Sequence, residues 1–418
     1  MLSRFLFGLG LLSTTAIVSP AFAVDAHALQ IVVSTNRQSL AVYDGDEVVA
    51  TSNVSTGKRG HSTPLGIFSI LEKQRYHESN LYSGAPMPFM QRLTWSGIAL
   101  HEAASVPHHP ASHGCVRLPK AFARMLYQMT ERGVHVIISG EPLVPQPIEN
   151  AALFQPAPPP MPAPLFSDLA LRPTTSVFPT GDEPVEVAAN EITALPPAPP
   201  LAAAASNEEP PLRILITRRD LSANVRDLQG LLNDLGFAAG EPDGLLGPAT
   251  VEAITAFRKA HGLPPTGGLV SPTLMEAVYT AAGKGAPPNG EIMVRQDFRP
   301  LFQAPAIIAE PEEALGTHFF TAHAVDRADG RAEWYGVTLE NELSSQTKKR
   351  LGISSETESQ SDDAADRALA RITIPDDVRH RIEDALSAGS SLTISDNGIG
   401  AETGENTDFI TITKKGGG

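Results

Sequence analysis

The sequence predicts a multidomain protein with a mainly-β first domain, a small all-α three-helix module and a small C-terminal α+β region, joined by Pro/Ala-rich linkers. Three observations predict this class. Short β-branched runs alternate with turn residues near the start, apolar residues recur at helical spacing further on, and a proline- and alanine-rich stretch lies between them. The length of 418 residues and a hydrophobic fraction of 42% allow about two to three domains with real cores.

The chain begins with a predicted signal peptide, residues 1–23. Arg4 precedes an apolar run from Phe5 to Val18, and Ala21-Phe22-Ala23 supplies a small-x-small cleavage sequence. The run is short for a membrane span, and no later segment stays apolar for about 18 residues. We therefore expect an exported, soluble protein with no membrane attachment once the signal is removed.

The charge of the chain restricts its partners. A formal net charge of −15 argues against a general affinity for nucleic acid or anionic lipid, because both require a basic surface. Neither nucleic acid nor a membrane is therefore an expected partner.

The first domain, residues 24–140, is predicted to be mainly β. Runs at Leu29–Val33 and Leu40–Tyr43 flank a polar turn and predict a hairpin. After Pro119, apolar residues at helical spacing predict one amphipathic helix, and the apolar run Val134–Ser139 predicts a buried strand that closes the domain. Further strands are predicted at Val48–Val54, Ile67–Leu71 and Leu93–Leu100.

A linker is predicted over residues 141–211, because its proline tracts, such as Pro156–Pro160, lack helical or strand periodicity. It is followed by a compact unit, residues 212–283, which opens with the short apolar run Ile214–Ile216. Apolar stripes and proline-containing helix starts predict three helices in this unit. The stripes are Val225, Leu228, Leu231, Leu232 and Leu235, then Val251, Ile254 and Phe257, then Leu274 and Val278.

Residues 284–313 are predicted to be a second linker, and residues 314–418 a small α+β region. An amphipathic helix is expected after Pro375, and a polar stretch near 344–366 predicts a disordered insertion. Strands are predicted at Thr317–Val325, Trp334–Leu339, Ser391–Ser395 and Phe409–Thr413.

The chemistry is concentrated in residues 101–119, which hold four of the 12 histidines and the only cysteine. We expect Cys115 at an exposed loop tip just before a helix, where backbone N–H groups favour a thiolate. His101 and His113 are candidate proton carriers, and a thiol with an imidazole suits acyl transfer. Two other interpretations remain open at this point: a Zn²⁺ site made of the same side-chain types, and an inert buried cysteine.

The run Ser112-His113-Gly114-Cys115-Val116-Arg117, with His101 ending an apolar strand upstream, resembles the signature of the L,D-transpeptidase (YkuD-type) family. The resemblance extends across residues 28–140 and includes Val54–Gly57 and Gly60–Gly66. It implies a β-rich fold and an enzyme of the periplasm or cell wall. The reaction implied is acylation of a cysteine by the L-centre carbonyl of a tetrapeptide stem, with release of the terminal D-Ala.

The resemblance also implies roles for individual residues. Cys115 is the nucleophile and His101 its base, with His113 as the alternative base. The implied pocket residues are Ser112, Gly114 and Arg117. No cofactor and no metal ion are implied. The connection from His101 to Ser112 is shorter than in many relatives, which favours hydrolysis or another acceptor over cross-linking, so the acyl acceptor stays open.

The second unit resembles the three-helix peptidoglycan-binding module, through Leu228–Leu232, Asp243–Thr250 and Ala256-Phe257. This implies peptidoglycan as a partner. It also keeps open a function of another class, a non-catalytic wall-binding scaffold in which the module carries the activity.

Overall fold

The computed structural model describes residues 28–79, 84–157, 209–340, 343–355, 361 and 363–416. The predicted signal peptide lies outside these residues, as does most of the predicted linker 141–211. In the described part of the chain, no helix has the length and apolar character needed to cross a membrane.

The first domain is mainly β, as predicted. In chain order it contains β1 (Leu29–Ser34), β2 (Ser39–Asp44), β3 (Glu47–Asn53), β4 (Leu65–Ser69), β5 (Glu72–Gln74), β6 (Met90–Arg92), β7 (Ala99–Glu102), β8 (Val116–Leu118), α1 (Lys120–Met129) and β9 (His135–Ser139). The predicted β1–β2 hairpin, the helix after Pro119 and the closing strand β9 are confirmed.

The rest of the chain adds nine strands and six helices within the described residues. These are β10 (Gln146–Ile148), β11 (Leu212–Arg218), α2 (Leu221–Asp234), α3 (Pro248–Ala260), α4 (Pro272–Ala281), β12 (Gly290–Gln296), β13 (Arg299–Ile308), β14 (Thr317–Asp326), β15 (Arg331–Leu339), α5 (Ser345–Leu351), α6 (Ala364–Ala370), β16 (Ile372–Thr373), α7 (Asp376–Ala385), β17 (Ser391–Ser395) and β18 (Thr411–Lys414). The three predicted helices of the module are confirmed, and the side chains of Asp220 and Ser271 cap α2 and α4.

The strands form three sheets. A six-stranded sheet runs β18-β4-β9-β1-β2-β3, a four-stranded sheet runs β5-β6-β7-β8, and an eight-stranded sheet runs β10-β15-β14-β17-β11-β12-β13-β16. Strand β1 is buried along its whole length. Ile31 and Val33 face the core with α1 and the small sheet, whereas Val32 packs against Phe319 and Val337 of the eight-stranded sheet. The first domain therefore rests directly on the C-terminal region.

The predicted linker over residues 284–313 is wrong, because these residues form β12 and β13. The two strands pair with each other, and β12 also pairs with β11. The start of the other predicted linker, 141–211, is packed as well: β10 pairs with β15, and Phe154 is fully buried in the C-terminal core.

The predicted boundary at residue 212 is also wrong. Strand β11 does not belong to the helical unit, because it lies inside the eight-stranded sheet between β17, to which it is parallel, and β12. Helices α2, α3 and α4 are thus inserted between two neighbouring strands of that sheet. The C-terminal region is therefore larger than predicted and is built on a curled sheet.

The structure differs from two further expectations for the C-terminal region. The predicted disordered insertion near 344–366 contains helix α5, which begins after Ser344 and ends at Gly352, although residues 356–360 and 362 lie outside the described part. The last predicted strand, β18, leaves the C-terminal region and pairs with β4 of the first domain.

Candidate active site

The residues singled out by their chemistry lie on two parallel strands, β7 and β8. His101 is the register partner of Arg117, so both side chains lie on one face of this small sheet. Leu100 and Val116 are fully buried on the opposite face. Cys115 comes immediately before β8, and its side chain packs against Ala99, which lies on the same face of β7 as His101. The fold thus brings together the predicted nucleophile and one of its two predicted bases.

The Cys115 side chain is half-buried beside a turn. Its Sγ lies 3.4 Å from the carbonyl oxygen of Gly97, and the side chain packs against Met87, Met90 and Ala99. The expectation of an exposed loop tip next to a helix is wrong. Cys115 lies in the bend that precedes β8 and is half-buried there, and β8 separates it from α1.

Burial sets the protonation state of this thiol. It raises the pKa of Cys115, against the opposing effects of a backbone hydrogen bond at Ala99 and of the Arg117 and Arg92 charges. The expectation that the surroundings favour a thiolate is therefore also wrong for the resting site. The thiol is protonated at neutral pH and needs a base when it reacts.

His101 has the properties of such a base. Its Nδ1 lies 2.7 Å from the carbonyl oxygen of Glu102, so Nδ1 carries the hydrogen and Nε2 is left to accept a proton. Burial lowers the pKa of His101 to about 4; the Arg117 charge acts in the same direction, and the Glu102 carbonyl opposes it. The imidazole is consequently neutral at physiological pH.

The other histidines of the segment lie in different surroundings. His113 is exposed and its ring contacts that of His61 edge to face, with 4.8 Å between centroids. Partial desolvation, followed by the Lys58 and His61 charges, lowers the pKa of His113. His108 and His109 are exposed in the connecting loop. Among the described residues, no group of three or more His, Cys, Asp or Glu side chains could hold a metal ion.

The loop before the thiol is held by its own side chains. Ser112 is buried, and its hydroxyl donates to the Cys115 carbonyl at 2.5 Å and accepts from the Gly114 N–H at 3.2 Å. Gly114 has φ +113°, and a Cβ there would lie 2.8 Å from Cδ1 of Ile98. Both residues, predicted to form the substrate pocket, thus have contacts that shape the nucleophile's backbone.

Thr63 contributes to the site but was not singled out by the sequence. Its Oγ1 donates to the Gly114 carbonyl at 2.7 Å and accepts from the Gly57 N–H at 2.8 Å. Gly57 permits this approach, because a Cβ there would lie 2.0 Å from the His61 carbonyl oxygen. A single threonine between turn residues carries no local signal of such a long-range contact.

Arg92 is a second residue that sequence reasoning missed. Its guanidinium forms a 2.7 Å ion pair with Glu72, lies over the Trp95 ring, 5.5 Å from its centroid, and acts on the Cys115 thiol electrostatically. The thiol is thus influenced by two cations, Arg92 and Arg117, which favour negative charge developing on sulfur or on a nearby oxygen.

Comparison with protein families finds two matches. Residues 29–138 match the L,D-transpeptidase catalytic domain family, YkuD, and residues 222–277 match a peptidoglycan binding domain family. The chain carries a YkuD L,D-transpeptidase domain followed by a peptidoglycan-binding domain. The L,D-transpeptidase match spans β1 to β9 and contains every candidate site residue, and the second match covers most of α2, α3 and α4.

Solved structures of L,D-transpeptidases share a low similarity with the chain. One from Mycobacterium smegmatis is 24% identical over 27% of this chain and 58% of its own, with a TM-score of 0.26. One from Stackebrandtia nassauensis is 27% identical over 31% of this chain and 62% of its own, also with a TM-score of 0.26. The chain thus spans about three fifths of the length of these structures. A comparison with curated proteins finds no match.

The L,D-transpeptidase match ends inside β9, and the peptidoglycan-binding match begins in α2. The eight-stranded sheet and strand β18 lie outside both matched segments. The contacts that these parts make with the L,D-transpeptidase domain therefore involve residues outside both family matches.

Proposed function

We propose that this protein is an exported cysteine acyltransferase of the periplasm or cell wall that remodels peptidoglycan by acting on tetrapeptide stems. Cys115 is the nucleophile and His101 the general base. The observation that carries the proposal is the position of a protonated thiol just before β8, packed against Ala99, with the buried, neutral imidazole of His101 on the same face of β7. The peptidoglycan-binding domain gives the protein a means of staying on its substrate.

In the first half-reaction, Sγ of Cys115 attacks the L-centre carbonyl carbon of the diamino acid while its proton moves to Nε2 of His101. The electron pair of the carbonyl moves to oxygen, and the Arg117 charge stabilises the oxyanion. The C–N bond then breaks, and the imidazolium donates its proton to the nitrogen of the leaving D-Ala. The product is a thioester on Cys115 with both site groups neutral again.

In the second half-reaction, an acceptor amine attacks the thioester carbonyl and gives its proton to His101. The C–S bond breaks, and the proton returns from the imidazolium to sulfur. A second stem as acceptor gives a cross-link, whereas a free D-amino acid gives exchange of the terminal residue. With water as the acceptor, the same site is an L,D-carboxypeptidase.

The test compares single substitutions on purified tetrapeptide muropeptides. Cys115→Ala removes the nucleophile and should abolish turnover. His101→Gln should lower kcat by about 10²–10⁴-fold, the usual contribution of a positioned base. His113→Gln is the matched control, and its kcat should stay within about threefold of the wild-type value. Equal losses in the two histidine variants would contradict the assignment of His101.

Product analysis separates the remaining candidates. Mass spectrometry identifies cross-linked dimers, exchanged tetrapeptides or tripeptides as transfer, exchange or hydrolysis. The non-catalytic scaffold is the second candidate, because α2 to α4 match a binding family. It predicts that wild type and Cys115→Ala bind sacculi equally and that neither changes the stems under conditions in which a related L,D-transpeptidase is active.

A further inference from the structure

The C-terminal segment, defined here as residues 402–416, lies against the L,D-transpeptidase domain. Its strand β18 pairs antiparallel with β4, with Thr411 opposite Ile67 and Ile412 opposite Gly66. Ile410 is buried in the core of that domain. Strand β4 would otherwise be the edge of the six-stranded sheet, so the end of the chain completes a sheet whose first strand begins at Leu29.

The pairing requires a glycine in β4. Gly66 has φ +151°, and a Cβ there would lie 2.1 Å from the carbonyl oxygen of Thr411. Beyond β18, a Cβ on Gly416 would lie 2.2 Å from the carbonyl oxygen of Ser62. Backbone therefore lies against backbone at both ends of Ser62–Gly66, and the segment fixes the loop that contains Thr63.

Thr63 passes this constraint to the nucleophile. Its hydroxyl donates to the carbonyl of Gly114, the residue bonded to Cys115, at 2.7 Å. The segment also contacts the turn on the other side of the thiol. The Ser96 N–H lies 3.4 Å from a carboxylate oxygen of Glu402, and the next residue, Gly97, provides the carbonyl that the thiol contacts.

The segment is itself anchored on the eight-stranded sheet. The buried guanidinium of Arg295 on β12 donates to the Thr407 carbonyl at 3.0 Å and to the Gly404 carbonyl at 2.7 Å. The Thr403 hydroxyl accepts from the Ile410 N–H at 2.8 Å and closes the loop just before β18. A continuous series of contacts thus runs from Arg295 to Cys115.

We infer that the C-terminal segment is a positioning element of the thiol site, so that Cys115 reacts correctly only when β18 is paired with β4. Thr63 and Glu402 are its two points of action. The role of the C-terminal region is then to hold the nucleophile loop, although the family match to the L,D-transpeptidase domain ends at residue 138.

The first test measures the thiol itself and needs no substrate. Because Cys115 is the only cysteine, alkylation by iodoacetamide reports on this site alone. A chain ending at residue 401 loses the constraint on its thiol together with the buried Asp408 and Ile410, so only a shift that the peptide described below reverses counts as loss of the constraint. The midpoint of its alkylation rate against pH should move toward the value of free cysteine, about 8.5. A synthetic peptide of residues 402–418 should restore the full-length profile by strand addition.

The second test uses the full chain and does not depend on the truncated protein folding. Thr63→Val keeps the side-chain volume but removes the hydroxyl, so its alkylation profile should shift as in the truncated chain. Thr63→Ser should restore the wild-type profile, and Thr255→Val on the exposed face of α3 is the matched control. Glu402→Ala should shift the profile in the same direction, whereas Glu405→Ala in the same loop should not.

Activity provides a third measurement, and this part alone rests on the proposed function. Thr63→Val should lower kcat roughly tenfold or more, because misplacing a nucleophile by about 1 Å costs that much, with KM changed by less than about threefold. Wild-type alkylation profiles in both Thr63→Val and the truncated chain would overturn the inference. Shifted profiles in a protein without action on peptide stems would instead refute the proposed function and leave the inference standing.

Discussion

Arg213 joins three parts of the molecule that are distant in sequence, and its removal should be severely destabilising. The side chain is buried on β11, and Nε lies 3.2 Å from a carboxylate oxygen of Asp408. Its other nitrogens donate to the carbonyls of Gly389 and of Gly133, which belongs to the first domain. Arg213→Ala leaves a buried carboxylate without its cation, which costs about 3–5 kcal/mol of unfolding free energy.

Two tryptophans allow this loss to be located. Trp95 lies in the first domain and Trp334 in the eight-stranded sheet, so the variants Trp334→Phe and Trp95→Phe each retain one fluorescent probe. In urea, an m value of about 3 kcal/mol/M converts the expected loss into a midpoint lower by about 1–1.7 M. Because Arg213 holds both units, the transitions of both probes should shift.

The matched control is the double variant Arg213→Met with Asp408→Leu, which removes both charges together. It should recover most of the lost stability, because a buried ion pair replaced by apolar side chains is often neutral. A loss below about 1 kcal/mol in Arg213→Ala would refute the reasoning. A shift seen by Trp334 but not by Trp95 would show that Arg213 does not join the two units.

Three further results are expected. Burial lowers the pKa of His318 to about 4, whereas the pKa in the unfolded state is about 6.5. The free energy of unfolding should therefore fall by about 3 kcal/mol as the pH falls from 6.5 to 4. Thermal unfolding of wild type and His318→Gln at pH 7 and 4.5 checks this, and the variant should lose less stability. Gly114→Ala strains a φ of +113° and should lower turnover roughly tenfold, and an unchanged rate would contradict the role of this loop. The buried amide of Gln229 accepts from the Gly244 N–H at 2.9 Å and donates to Asp243 at 2.9 Å. Gln229→Leu should therefore lower the unfolding free energy of the helical module by about 2–3 kcal/mol. Hydrogen exchange should become faster in α2, α3 and α4 only.

Local patterns in the sequence predict much of the first domain and of the helical module. The β1–β2 hairpin and helices α2 to α4 follow from periodicity, capping residues and turns that act within a few residues. The thiol and the histidines of the candidate site were identified by residue type and spacing. Their protonation was not, because burial depends on Met87, Met90 and Ala99, which come from other strands and the loop before them.

The missed strands have physical explanations. Strand β13 contains Pro300 and Pro305, which read as a linker but are tolerated because its outer neighbour, β16, pairs with only two of its residues. The apolar run inside β11 is only three residues long, because Arg213 precedes it and Thr217 and Arg218 follow it. Both arginines are buried with aspartate partners that lie more than 170 residues later in the chain, and no local pattern contains that information.

The insertion of α2 to α4 between β11 and β12 determines how the protein responds to mechanical load. Both strands meet the helical module at the same end, where Arg218 pairs with Gly290 and the Arg219 N–H donates to the Asn289 carbonyl at 2.9 Å. A pull on the module therefore acts on both strands in the same direction, so β11 and β12 move together and the load falls on the pairs that join β11 to β17 and β12 to β13.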